Sequence, residues 1–477
     1  MSDSHVEAEI KYYLDELRGK TQNGYSLEAA INKIKRHPLG SPPEDVFNTA
    51  IARFKTKTRE ITEYNTAESF AREHDTGDWY SGPQEDDIFW PVLKEILQDK
   101  IGDAVEDVDK ASTQVVASLR PSGASEFDTR GLVLGYVQSG KTTNFLSVMA
   151  KAADVGYRFF IVLTGITESL RSQTQERIEK QLITDPKHWF QLTTINDDFK
   201  DTQGTNQKNA LSMLSGNQNR IIAVVKKNAT VLRKLNAFIK RSGVHADKCP
   251  ILIIDDEADQ ASISVSKNPD TNPSAINKQL RELLKNKKTA YVAYTATPFA
   301  NILVDPNRYD DIYPRDFIHV LPKPEGYFGT EMIFGVDSPH GEDFKENDGL
   351  NVIRRVEDEE AEALRPPTKK RGKEVEWNPY IPDSLVNAVR WFIIASAARR
   401  ARGANSHSSM LIHTAMKTDA HEETKRLLVP VIKNLEKSFL SGSLEWEDQW
   451  DRETATVTPE QFENPKHTFA EIVEFVP

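Results

Sequence analysis

The chain has 477 residues, 38% apolar and 28% charged, with a formal net charge of −11, a composition ordinary for a globular protein with room for several domains. The acidic balance argues against a simple basic coat for DNA, although a local basic groove can sit on an acidic body. Cys249 is the single cysteine, which excludes a disulfide framework or thiolate zinc site and fits a reducing compartment.

The opening sequence MSDSHVEAEIKYYLDELRGK lacks the apolar core of a signal peptide. No apolar run reaches the ~20 residues needed to cross a bilayer, so a cytoplasmic protein with no membrane segment is expected. Residues 1–110 read as a polar helical region without a strand-like run. Within it, WYSGPQEDDIFWPVLKEILQDK turns at Gly82 and Pro83, then spaces Ile88, Val92, Leu93 and Ile96 as one helix face.

From Arg130 short β-rich runs alternate with amphipathic helices: GLVLG, YRFFIVLT, FQLTTI, RIIAVV, ILIID, AYVAYT and FIHVLP. Such alternation predicts an α/β fold over residues 111–355, with a mostly parallel sheet and helices on both faces. Residues 356–382, with RPPTKKRGKEVEW, read as a charged, solvated linker. Residues 383–440 carry a long helical pattern, SLVNAVRWFIIASAARRARG, then a strand-like SSMLIHT with a helix behind it. The acidic tail, 441–477, has no pattern that assigns it.

GYVQSGKT, residues 135–142, has the phosphate-loop pattern. Gly135 and Gly140 let the backbone turn its N–H groups toward phosphate, and the helix that follows adds its positive end. Lys141 supplies a cation for the β- and γ-phosphates, and the Thr142 hydroxyl is placed to ligate magnesium. Gln138, Ser139 and Thr143 complete the expected ATP site. Strand-like GLVL precedes the loop, and Phe145, Val148, Met149 and Ala152 give the next helix a buried face.

ILIIDDEAD, residues 251–259, is an apolar strand ending in carboxylates, where parallel α/β sheets hold their ligands. Asp256 is expected to hold magnesium and Glu257 to orient or deprotonate the attacking water, with Asp255 able to exchange roles with Asp256. YTATP, residues 294–298, ends another strand, so Thr295 and Thr297 could relay nucleotide state to a bound substrate.

GKT, DEAD and TATP in that order resemble the first motor lobe of superfamily-two helicases. The longer segments WYSGPQEDDIFWP, RGLVLGYVQSGKTTNF, AKAADVGYRFFIVLTGITESLRSQTQERI, LIIDDEADQAS and YVAYTATPFANILVDP resemble the Z1 domain family, a group labelled as endonucleases. That resemblance runs over residues 79–320 and more faintly to Met410. It implies a RecA-like P-loop NTPase lobe, a helical N-terminal domain and an incomplete second RecA-like lobe. It also implies an ATP- and magnesium-dependent helicase-like motor acting with DNA, in bacterial restriction or phage defence. Arg171 and Gln175 would contact the strand, while Thr295 and Thr297 would couple.

Two other readings stand beside it: an ATP-driven switch in a defence complex without translocation, and an endonuclease with an unrecognised site. The sequence offers no paired acidic and lysine nuclease core; Glu374 and Glu376 near Lys373 fall in the linker stretch. The glycine- and arginine-containing motifs of a second lobe are also missing. The expectation is therefore that a missing C-terminal half, or other defence proteins, complete the motor.

Overall fold

Strand-forming sequence from Phe127 onward assembles one sheet in the computed structural model, which describes residues 3–36, 41–63, 69–71, 78–137, 140–200, 219–260, 262, 274–298, 301, 312–335, 349–367 and 377–476. Its strands are β1 (Phe70–Ala71), β2 (Phe127–Leu134), β3 (Phe159–Thr164), β4 (Trp189–Gln191), β5 (Arg220–Lys226), β6 (Ile251–Asp256), β7 (Lys288–Thr295) and β8 (Phe317–Val320). The order across the eight-stranded sheet is β1-β8-β2-β7-β6-β3-β5-β4. Every pairing from β8 to β4 is parallel. Only β1 runs antiparallel, on β8. All seven β-rich runs of the sequence thus become strands. The two-residue β1 lies in the stretch expected to be wholly helical, too short to show a period-two pattern.

The described helices of the first unit are α1 (Asp3–Gln22), α2 (Leu27–Lys35), α3 (Glu44–Glu63), α4 (Trp90–Ile101), α5 (Val105–Ala117), α6 (Lys141–Asp154), α7 (Glu168–Gln181), α8 (Ala229–Arg241) and α9 (Ala275–Leu283), with a shorter helix at Val244–Lys248. Strand alternation sends side chains to two cores. On one face Val133, Phe160, Val162, Leu252, Ile254, Val292 and Tyr294 meet α5 and α6. On the other, Leu132, Ile161, Ile253 and Tyr291 meet Leu232, Leu235 and Phe238 of α8 and Leu280 of α9. Helices α1–α3 share a separate small core around Leu17, Phe47 and Phe54.

Two compact units divide the chain, Met1–Tyr327 and Phe328–Pro477. The N-terminal helices therefore belong to the same unit as the sheet, and the division comes earlier than residue 355. In the second unit the expected long helix forms as α10 (Asp383–Ala401), followed by α11 (Thr418–Leu440) and α12 (Glu445–Thr456). The SSMLIHT segment, residues 408–414, forms no strand. Met410 and Ile412 pack inward and Leu411 is 88% exposed, so the alternation is present, but among the described residues of this unit no strand offers a ladder. The unassigned tail supplies Trp446, Trp450 and Ile472 to the core built on α10. Its acidic surface hides that role in the sequence. The KKRGK run and Glu374 and Glu376 lie outside the described residues.

The WYSGPQEDDIFWP segment is fastened to the far end of α6. Asp154 accepts hydrogen bonds from the backbone N–H groups of Ile88, Phe89 and Trp90 at 2.8–2.9 Å, replacing the missing cap of α4 from a distant residue. Buried Lys151 bonds Asp109, Ser112 and Thr113 at 2.6–2.8 Å and sits 4.0 Å over the Trp90 ring. Burial drives its ammonium down to about 8, against the pull of Asp109. The face of α4 that is buried is Trp90, Leu93 and Leu97, whereas Ile88 and Val92 are exposed, because the helix begins at Trp90 and its stripe is phased from there. Asp154→Ala, which strands three donors at the start of α4, is expected to destabilise the protein by about 2 kcal/mol or more. An unchanged urea midpoint would contradict the capping role.

Candidate functional site

Parallel pairing brings the ends of three strands to one edge. In register Leu134 lies opposite Thr295, and Asp256 lies opposite Tyr294. The loop after β2 and the acidic end of β6 are thus separated by β7 alone, about 10 Å at the usual strand spacing. The Gly135 N–H continues the ladder to the Thr295 carbonyl at 3.1 Å.

The loop then turns into α6 through Gly140, whose φ of +88° suits a residue without Cβ. No side chain caps α6, so its first-turn N–H groups have no capping oxygen, the arrangement that receives anions at helix starts. A Cβ at Gly135 would come within 2.7 Å of the Lys141 side chain; glycine there lets the lysine stem lie against the strand end. Lys141 Nζ donates to the Tyr136 carbonyl at 3.3 Å, a long bond that a stronger anionic acceptor could replace. Thr142 and Thr143 are half-buried in the first turn. Gln138 and Ser139 lie outside the described residues. Tyr327 covers the loop, its OH donating to the Val137 carbonyl at 2.8 Å and its ring 5.1 Å from that of Tyr136.

Strand alternation sends Asp255 and Asp256 to opposite faces of the sheet. Asp256 follows Leu252 and Ile254 toward the α6 face, while Asp255 follows Ile251 and Ile253 toward the other. Asp255 is fully buried, paired with Lys227 Nζ at 2.8 Å and accepting from Tyr291 OH at 2.5 Å. The carboxyl of Asp256 is raised to about 6, first by burial and then by the neighbouring Glu257 charge, with Lys227 and Lys141 opposing. A divalent cation would relieve that strain, so the donor set fits magnesium, which takes one or two carboxylates beside phosphate oxygens. Among the described residues no three His, Cys, Asp or Glu side chains cluster as a metal cage.

Glu257 has φ +54°, a left-handed backbone that costs a residue with Cβ roughly 1–2 kcal/mol. Asp259 reaches back to β7: Thr295 Oγ1 donates to its Oδ1 at 2.8 Å and Thr297 Oγ1 to its Oδ2 at 2.9 Å. Tyr294 OH donates to Asn144 Oδ1 at 2.9 Å, tying the same strand to α6. The sequence reading missed Asp259, Lys227, Tyr294 and Asn144. For Asp259 the signal was present, since an acid four residues after Asp255 lies beside hydroxyls known to end the next strand.

Arg171 and Gln175 are corrected. Both are fully buried. Arg171 donates to the Thr194 and Ile195 carbonyls at 2.9 and 2.7 Å and pairs with Glu168. Gln175 bonds Thr193, Gln191 and Glu179. They anchor α7 to the loop after β4 and have no surface with which to meet a phosphate. A cavity of about 280 Å³ opens at the opposite, amino-terminal end of β2, lined by Arg120, Glu126, Asp128 and Asp316. Its Asp128 is already paired with Arg130 and Arg315.

No described helix is long and apolar enough to cross a membrane. Residues 384–476 match the family described as the Z1 domain, which supports the Z1 resemblance. The match covers the helical unit from α10 onward rather than the sheet on which the resemblance was traced. No curated protein matches the chain.

The left-handed turn generates a stability test. Glu257→Gly and Glu257→Ala both remove the carboxylate, but only glycine accepts φ +54° without steric cost. The glycine variant should be the more stable by about 1 kcal/mol; equal thermal midpoints would contradict the strained turn.

Proposed function

We propose that the sheet-bearing unit binds ATP with magnesium and hydrolyses it as a RecA-like, helicase-like motor lobe acting on or with DNA, in a bacterial restriction or phage-defence system. One observation carries the reading: the uncapped start of α6 after Gly140 and the carboxylates of Asp256 and Glu257 lie at the same edge, one strand apart. In this reading the triphosphate rests on the first-turn N–H groups of α6, with the Lys141 ammonium between its β- and γ-phosphates. Thr142 and Asp256 would hold the magnesium ion, which when bound neutralises phosphate charge. Glu257 takes the proton of the water whose oxygen bonds the γ-phosphorus. The bond from that phosphorus to the bridging oxygen breaks, and its electron pair leaves with ADP.

Coupling would run through the Asp259 clamp. A shift of the acidic turn on hydrolysis pulls on Thr295 and Thr297 and so on the end of β7. Strand contacts must come from residues other than Arg171 and Gln175. Another polypeptide, or a defence protein, is the proposed source of an arginine for the γ-phosphate, worth about 10³–10⁵ in rate in such enzymes.

Lys141→Ala removes charge-assisted contacts worth roughly 1.5–3 kcal/mol. Titration with a fluorescent ATP analogue should therefore show at least tenfold weaker binding, and unchanged affinity in a folded variant refutes the phosphate loop. Glu257→Gln should bind normally while turnover falls ~10²-fold or more; normal hydrolysis would remove Glu257 from the chemistry. Stimulation of turnover by DNA separates a motor from an ATP-driven switch.

The raised carboxyl of Asp256, at about 6, gives a pH signature. As pH falls through that value Asp256 gains a proton and loses the charge that holds a cation. Magnesium-dependent ATP affinity should be flat from pH 7 to 8 and fall about tenfold per unit well below pH 6. Asp256→Asn should abolish that slope. A slope that survives the substitution assigns the titration to another group.

A further inference from the structure

Lys227 follows β5 directly, and its side chain has no solvent exposure. Its ammonium makes three contacts on the face of the sheet away from α6: Asp255 Oδ1 at 2.8 Å, the Glu257 carbonyl at 2.5 Å and the Gln260 carbonyl at 3.2 Å. Asp255 is held in turn by Tyr291 OH. A buried ion pair brings little net stability by itself, because desolvation offsets the attraction. This one spends two of its three donors on backbone carbonyls of a single turn, the turn in which Glu257 adopts φ +54°. Strained backbone persists only where its surroundings over-determine it, and here the surroundings are Lys227, the Ala258 N–H bonded to the Tyr294 carbonyl at 3.0 Å and the Gln260 N–H bonded to the Glu257 carbonyl at 2.9 Å.

We propose that Lys227 is a positioning residue for Glu257: from the side of the sheet opposite the phosphates, it fixes the left-handed turn that sets where the Glu257 carboxylate meets the attacking water. The proposal rests on the hydrolysis reading above and adds to it a residue that touches neither nucleotide nor water. Alternation explains the division of labour. Asp256 faces the phosphates and Asp255 faces away, so the first carboxylate of the DDE run anchors the cation that shapes the turn. The phosphate-side groups are then free to act on the nucleotide.

The test uses the full chain. Lys227→Met alone would leave Asp255 as a buried charge without its cation, so it is paired with Asp255→Asn to keep the core neutral. Expected are a fall in kcat of at least tenfold, nucleotide affinity within twofold of the parent, and faster amide exchange at Ala258 and Gln260 with exchange in α6 unchanged. Introduced into Glu257→Gln, the same pair should lower turnover no further, as for residues that act as one unit. A multiplicative loss in the Glu257→Gln background, or parental kcat in the pair variant, overturns the proposal. Should the pair variant not fold, Asp255→Asn alone, which releases Lys227 from its anchor, should give the same pattern to a smaller degree; parental turnover with unchanged exchange overturns it. If the unsubstituted chain binds ATP but never hydrolyses it, the hydrolysis reading fails. Exchange then decides separately, and undisturbed amides at Ala258 and Gln260 refute the Lys227 tie.

Discussion

The rest of the site depends on the parallel register of β2, β7 and β6. Pairing Leu134 with Thr295 and Asp256 with Tyr294 lines up three strand ends whose sequences are far apart. A one-residue slip of β6 would exchange the faces of Asp255 and Asp256. It would bury Asp256 against Lys227 and send Asp255 toward the loop after β2. Continuous apolar rows on both faces of these strands hold the register, since a slip would misplace every one of them.

Buried charge is the second constraint. Lys151, Lys227, Asp255 and Arg171 are fully buried, and each has partners that satisfy it. All four serve the framework: Lys151 joins α6 to α5 and Trp90, Arg171 anchors α7, and the Lys227–Asp255 pair supports the acidic turn. Asp256 differs. Its carboxyl is raised toward neutrality by burial and by Glu257, with Lys227 and Lys141 opposing.

Much of this was legible in the sequence because it is local. Seven β-rich runs gave seven strands, and the helical pattern after Gly140 gave α6. What was not legible depends on tertiary neighbours. SSMLIHT alternates like a strand but pairs with no strand among the described residues. Arg171 and Gln175 look like helix-surface residues until the loop after β4 covers them. The tail reads as acidic and featureless because its few apolar residues, Trp446, Trp450 and Ile472, do all the packing. Asp255 and Asp256 could not be told apart until strand parity fixed their faces.

In the proposed function, the loop after β2 and the acidic end of β6 form one nucleotide site. A structure of the full chain with magnesium and a non-hydrolysable ATP analogue tests it most directly. Expected are the β-phosphate on the N–H groups at the start of α6, the γ-phosphate within reach of Lys141, and the cation between Thr142 and Asp256. An analogue bound elsewhere, or a cation held by Asp255 in place of Asp256, would contradict it.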